Sequence, residues 1–140
     1  MSRPFKDHFS AQAGDYARYR PDYPPALFEW LAGIAPSQDI AWDCGTGSGQ
    51  SAVALAAHFS RVIATDPSQS QLDHAEAHPR VDYRCTPAEV GLPETASVDL
   101  ITVAQAIHWF DLDRFYAEAR RVLKPGGVIA VWTYTLLDVE

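Results

Sequence analysis

The chain has 140 residues, 47% hydrophobic and 21% charged, the composition of one ordinary globular domain with room for a sizeable core. A formal net charge of −7, with the basic residues scattered, disfavours a nucleic-acid-binding face. Apolar runs fall far short of a membrane span and no basic, apolar leader is visible, so a cytoplasmic protein with no membrane partner is expected.

Residues 1–23 read as a polar and aromatic arm carrying Phe5, Phe9, Tyr16, Tyr19 and Tyr23. Within it "YARYRPDYPP" predicts a helix followed by a proline-led turn. Pro24 and Pro25 suit the first turn of a further helix, to about Gly33, with Leu27, Leu31 and Ile34 along one face. Residues 1–36 are thus expected to form a helical arm or lid, and residues 37–140 the main domain.

From there apolar strands alternate with helices. "DIAWDC" (39–44) predicts a first strand, and 50–59 a helix with Ala52, Ala56 and Phe59 on one face. "RVIATD" (61–66) is a second strand, followed at 67–78 by a helix opened by Pro67 and serines. "VDYRCT" (81–86) and "SVDLITVAQA" (97–106) are the third and fourth strands. Asp111 is placed to cap a helix over 112–123, with Leu112, Phe115, Ala119 and Val122 on its apolar face. "KPGG" (124–127) predicts a tight turn, and "VIAVWTYTL" (128–136) a fifth strand.

That alternation predicts an α/β fold with a parallel sheet covered on both faces. Ligands of such sheets sit beyond the C-terminal strand ends, near the point where strand order reverses. Cys44 and Cys85 would end strands separated by a third, roughly 9–10 Å apart, too far for a disulfide. With no CxxC or His/Cys cluster, no metal site is expected.

The loop after the first strand is Gly45-Thr46-Gly47-Ser48-Gly49. Glycines there permit positive φ and a close approach of ligand to backbone. Asp66 follows Gly45 by 21 residues, at the end of the second strand, a spacing that suits a carboxylate holding both ribose hydroxyls. A Walker phosphate loop is excluded, because no Lys-Ser/Thr follows the glycines. A dinucleotide loop would need a glycine where Gln50 stands. The motif is instead D-x-G-x-G-x-G, in which Asp43 could accept hydrogen bonds from the loop amides or from a ligand ammonium group.

On these residues the chain resembles the class I S-adenosylmethionine-dependent methyltransferases. "DCGTGSG" is similar to their first motif, and "VIATDPS" to their ribose-binding strand end. "CTPAEVGLPETASVDLITVAQAIHWFD" resembles the adenine-side loop and fourth strand, and "RVLKPGGVIAVW" the helix, turn and strand that follow. The last two resemble the type 11 small-molecule branch, and "YARYRPDYP" its trans-aconitate methyltransferase-like members. The resemblance implies a Rossmann-like three-layer αβα sandwich with a parallel five-stranded sheet in the order 3-2-1-4-5. The implied cofactor is S-adenosylmethionine or S-adenosylhomocysteine, and the implied partner a small-molecule methyl acceptor.

Residue by residue, the resemblance implies that Asp43 and the Gly45 amide serve the methionine end. Thr46, Gly47 and Gly49 shape the loop, and Asp66 holds the ribose with Pro67 and Ser68 beside the adenine. Ala88 offers its N–H to an adenine nitrogen, with Glu89 next to it. Pro87 stands where many relatives carry an acid that receives the adenine amine. A backbone carbonyl of Ala104 or Gln105 meets the methionine amine. Tyr16, Tyr19 and Arg20 form a lid. His108 is the one candidate general base, with a cleft-wall or substrate-binding role as the alternative. Trp109 and Phe110 are pocket wall or core, or else stack on the acceptor. His58, His74 and His78 read as surface groups, and Arg120 and Arg121 as the solvated side of their helix.

The sequence departs from the family by ending at Glu140, soon after the fifth strand, where relatives add a helix and an antiparallel hairpin. A fifth strand carrying Val128, Ile129, Val131 and Trp132 would then be an open apolar edge, and homodimerisation through it is the expectation. Two other readings compete: a non-catalytic module that keeps the cofactor site, and an NAD-dependent oxidoreductase, against which Gln50 argues.

Overall fold

The computed structural model describes residues 24–104 and 111–132. The elements in chain order are α1 (Pro25–Ile34), β1 (Ile40–Cys44), α2 (Gln50–Ala56), β2 (Arg61–Asp66), α3 (Gln69–Asp73), β3 (Val81–Cys85), a 3-10 turn (Ala88–Val90), β4 (Val98–Ala104), α4 (Leu112–Val122) and β5 (Leu123–Trp132). The five strands form one sheet in the order β3-β2-β1-β4-β5, with every neighbouring pair parallel. This is the expected Rossmann-like order, and it reverses between β1 and β4.

The strands are apolar along their length because both faces of the sheet are covered. In β2, Val62 to Thr65 are all buried. Successive side chains alternate between two cores. On one face Phe28, Leu31 and Ala32 of α1 and Ala52, Leu55 and Ala56 of α2 pack with Ala41, Val62, Ala64 and Leu100. On the other, Phe115, Ala119 and Val122 of α4 pack with Trp42, Cys44, Ile63, Ile101 and Val103, and Ala88 and Leu92 join them. Trp42 meets Phe115 edge-on, ring centres 6.0 Å apart, and its indole N–H donates to the Thr65 hydroxyl at 2.9 Å. Cys44 and Cys85 are free thiols on β1 and β3, with β2 between them.

Several boundaries differ from the sequence reading. The buried face of α1 is Phe28, Leu31 and Ala32, while Ile34 is exposed. Leu112, at the first turn of α4, is likewise exposed. Helix α3 is five residues long, not twelve, because tertiary bonds take the backbone beyond it. The Glu76 amide donates to the Ser48 carbonyl at 3.4 Å, and the Glu76 carbonyl accepts from the Tyr83 hydroxyl at 2.6 Å. Strand β5 starts at Leu123, ahead of the KPGG turn: Leu123 pairs with Val98, Val128 pairs with Leu100, and 124–127 bulge between them. Val131, on this outermost strand, is exposed.

The N-terminal end of the sheet is tied by Asp99, which is fully buried. Its carboxylate accepts from the amides of Asp39 and Ile40, each at 3.0 Å, from the Ser37 hydroxyl, and from Lys124 Nζ at 3.0 Å. Burial alone would raise its pKa. The Ser37 hydroxyl, the Ile40 amide, Lys124 and the Asp39 amide outweigh that and hold it below the ordinary aspartate value. The carboxylate therefore joins β1, β4 and the bulge of β5.

Replacing Asp99 by Asn should cost roughly 2–4 kcal/mol in urea unfolding at pH 7, since several part-buried donors lose a charged acceptor together. Because the folded-state pKa is depressed, this stabilisation is complete above the unfolded value of about 3.9 and is lost as pH falls through the folded value. The gap between wild type and D99N should therefore close below about pH 4. A gap that persists unchanged in acid would contradict the assignment.

Candidate functional site

The C-terminal strand ends lie side by side, because the register pairs Cys44 with both Thr65 and Val103, and Asp66 with Cys85. From β4 to β3 this edge spans about 14 Å, three strand spacings. The glycine loop leaves it after β1. Residues 86–97 leave it after β3.

Two carboxylates fix the glycine loop. Asp43 is 1% exposed, and its oxygens accept from the Thr46 and Thr102 hydroxyls, each at 2.7 Å. It thereby ties the loop to β4, where Thr102 is its register partner. Asp43 is thus a buried tether that engages the hydroxyls of both the loop and β4. Asp66 is half-buried at the end of β2. One of its oxygens accepts from the Gly47 amide and the other from the Ser68 amide, both at 2.9 Å. Each oxygen keeps a further lone pair for a donor from solvent or ligand. The loop is also tied to β2 by the Thr46 amide, which donates to the Thr65 carbonyl at 2.8 Å.

Gly45, Gly47 and Gly49 all have positive φ, at 71°, 57° and 84°. The demand is greatest at Gly49, where a Cβ would overlap the Tyr83 hydroxyl and come within 3.1 Å of its ring. At Gly47 the nearest atom to an added Cβ is Gln71 Oε1, at an ordinary 3.9 Å. Gly49 is thus required by the protein's own packing, and Gly47 by its backbone conformation.

Across the edge, the 3-10 turn opens at Ala88, which is buried, with Glu89 half-buried beside it; Pro67, just after β2, is exposed. As first residue of the turn, Ala88 has no acceptor for its amide within it. The Cys44 thiol is pushed well above its ordinary pKa. Burial is the main cause, opposed by a hydrogen bond with Thr65 and reinforced by the carboxylates of Asp43, Asp66 and Glu89. It is a core thiol, not a nucleophile. Burial, then Asp43 and Glu76, raise Tyr83.

The structure therefore brings together Asp43, Gly45, Thr46, Gly47, Gly49, Asp66, Pro67, Ala88 and Glu89. Tyr19, Arg20, Gln105 and His108, with Tyr16, Trp109 and Phe110, lie outside the described residues. Thr102 and Tyr83 were not singled out from the sequence. A threonine among the apolar residues of β4 was the available signal for the first. The second had none, because its partner Gly49 is distant in sequence.

A family model described as a methyltransferase domain, of type 11, matches residues 42–131. A protein of Dictyostelium discoideum named as a methyltransferase is 42% identical over 137 residues, covering 96% of this chain and 52% of that one. A solved structure described as a type II methyltransferase of Anaeromyxobacter dehalogenans is 56% identical with a TM-score of 0.79, covering 84% of this chain and 50% of that one. Geranyl diphosphate C-methyltransferase of Streptomyces coelicolor A3(2), solved with Mg2+, geranyl diphosphate and S-adenosyl-L-homocysteine, is 25% identical with a TM-score of 0.66, covering 77% and 44%. The chain spans about half the length of the curated relatives it matches.

Gly49→Ala should destabilise by at least about 2 kcal/mol, and Gly47→Ala by about 1, since only the former adds steric overlap to the left-handed backbone cost. In a Tyr83→Ala background the Gly49 penalty should fall to the Gly47 value, a coupling that chemical denaturation of the four proteins measures. Equal penalties at both glycines in the parent protein would refute this division of roles.

Proposed function

The chain belongs to the type 11 family of class I S-adenosylmethionine-dependent methyltransferases, and on that premise we propose that its C-terminal strand edge binds S-adenosylmethionine for methyl transfer to a small-molecule acceptor. The observation that carries the reading is Asp66. Its two oxygens are aimed by the Gly47 and Ser68 amides, leaving a lone pair on each for a pair of ribose hydroxyls. The donor set of the site also suits a nucleoside with an amino-acid tail: an amide at Ala88 for the base, the Gly45 amide for the tail, and a glycine loop between them.

In this reading Gly47 and Gly49 shape the loop, and Pro67 and Ser68 flank the base beside Glu89. Asp43 acts through Thr46 and Thr102, keeping the loop at a fixed distance from β4. A backbone carbonyl of Ala104 or Gln105 receives the amine of the tail. Tyr19 and Arg20 close over it, Arg20 pairing with the carboxylate. When bound, the sulfonium supplies an activated methyl group. The protein's part is to align acceptor and donor and to exclude water, effects that reach ~7–11 kcal/mol in favourable intramolecular cases. His108 removes a proton where the acceptor carries one. The small-molecule class is supported by the Streptomyces coelicolor enzyme, whose acceptor is geranyl diphosphate.

Titration calorimetry with S-adenosylhomocysteine tests the binding. The wild-type chain should give a saturable heat. Asp66→Ala should weaken binding by at least roughly 10- to 100-fold, the loss of one hydrogen bond to a charged group. Equal affinities for both proteins would remove Asp66 from the site.

A further inference from the structure

The sequence reads Arg121 as a solvated helix residue; in the structure it is half-buried and fully engaged in hydrogen bonds. Its side chain reaches from α4 to the segment joining the 3-10 turn to β4. Nη1 donates to the Glu94 carbonyl at 3.2 Å and to the Thr95 hydroxyl at 2.7 Å. Nη2 donates to the Leu92 carbonyl, and Nη2 and Nε to Glu118 at 2.6 and 3.1 Å. One guanidinium thus holds two backbone carbonyls and a hydroxyl within four residues of chain, while Glu118, one helical turn back, fixes the plane of the fork.

The same segment is held from the other side. Arg84 of β3 binds the Glu94 carboxylate through both oxygens, at 3.0 and 2.9 Å, and also pairs with Asp82 at 2.8 Å. Just before the clamped residues lies Gly91, buried, with φ of 73°. A Cβ there would collide with the Glu118 side chain, so the segment passes against α4 with no room to spare. Gly91 ends the 3-10 turn that opens with Ala88. A single three-residue turn fixes its own orientation poorly. It is held here by the anchoring of Ala88 and Leu92 in the core, by the two arginine clamps just beyond, and by the amides of Ala96 and Ser97, which donate to the Arg121 and Val122 carbonyls at 3.0 and 2.9 Å.

We propose that Arg121 is a positioning residue for recognition of the cofactor's base: by holding residues 92–95 against α4, it sets the angle at which the Ala88 turn presents its amide to the adenine edge. This rests on the reading of the Ala88 turn as the adenine side of the site. Arg121 touches no ligand. Arg120, its exposed neighbour, faces away and serves as the control.

The test compares the affinities of S-adenosylhomocysteine and S-inosylhomocysteine, whose base carries a proton at N1 and cannot accept a hydrogen bond there. Wild type and Arg120→Gln should prefer the adenine ligand by about 10-fold, the equivalent of one hydrogen bond. Arg121→Gln should bind the adenine ligand more weakly and lose most of that preference. Hydrogen exchange should accelerate in residues 88–95 but not in β1 or β2. A merely structural role would weaken both ligands equally and leave the ratio intact, which would overturn the proposal. So would a wild type that binds both ligands alike. Should Arg121→Gln fail to fold, Arg121→Lys, which keeps the charge and stem but not the fork, carries the same comparison. Failure of the wild type to bind S-adenosylhomocysteine at all would instead overturn the functional reading on which this rests.

Discussion

Everything at the candidate site depends on how a flexible glycine loop is made to hold one shape. Three positive-φ residues in five would leave such a loop many conformations in isolation. Asp66 removes that freedom by accepting the Gly47 amide with one oxygen while the Ser68 amide holds the other. The bonds are charge-assisted, and they lock the loop after β1 to the start of the segment after β2. Asp43 performs the complementary task from below, buried between Thr46 and Thr102. The two carboxylates differ in exposure, and that divides their work: one is closed inside the protein, the other retains capacity to receive a ligand.

The second half of the site is built differently. No helix of normal length joins β3 to β4 in these residues. A 3-10 turn does, followed by an irregular segment with bends at Pro93 and Ala96. Such a connection has few backbone bonds of its own, so its carbonyls at Leu92 and Glu94 are taken by Arg121. The ion pairs of Arg61, Asp82, Arg84 and Glu94 link β2 and β3 to the same segment, beside a strand β3 whose residues are at most half-buried. Surface pairs of this kind add little stability individually. Here their importance is geometric, because they decide where the segment lies.

Much of this was legible in the sequence. The strands were readable because a doubly covered parallel sheet needs unbroken apolar runs. Asp111 and Ser68 were readable as helix starts, and both do cap, accepting from Arg114 N at 3.3 Å and Gln71 N at 3.2 Å. The places of the glycine loop after β1 and of Asp66 at the end of β2 were readable from spacing. What was not legible depends on contacts distant in sequence. Helix α3 stops early because Ser48 and Tyr83 capture Glu76. Arg121 resembled a solvated charge, yet Glu118 and Arg121 border the stripe of Phe115, Ala119 and Val122, so they sit where α4 meets the loop. The length of β5 was misjudged because KPGG reads as a turn that ends something, when it is a bulge within the strand's pairing.

In the proposed reading, one edge of the sheet, organised by Asp66, receives an adenosine with an amino-acid tail. The most direct measurement is a 15N-resolved NMR titration of the chain with S-adenosylhomocysteine. Saturable shifts are expected at the amides of Gly45, Gly47, Ser68 and Ala88, with Ile40, Arg61 and Val98 at the opposite strand ends unmoved. Shifts confined to those opposite ends, or no saturable shift at the glycine loop, would contradict it.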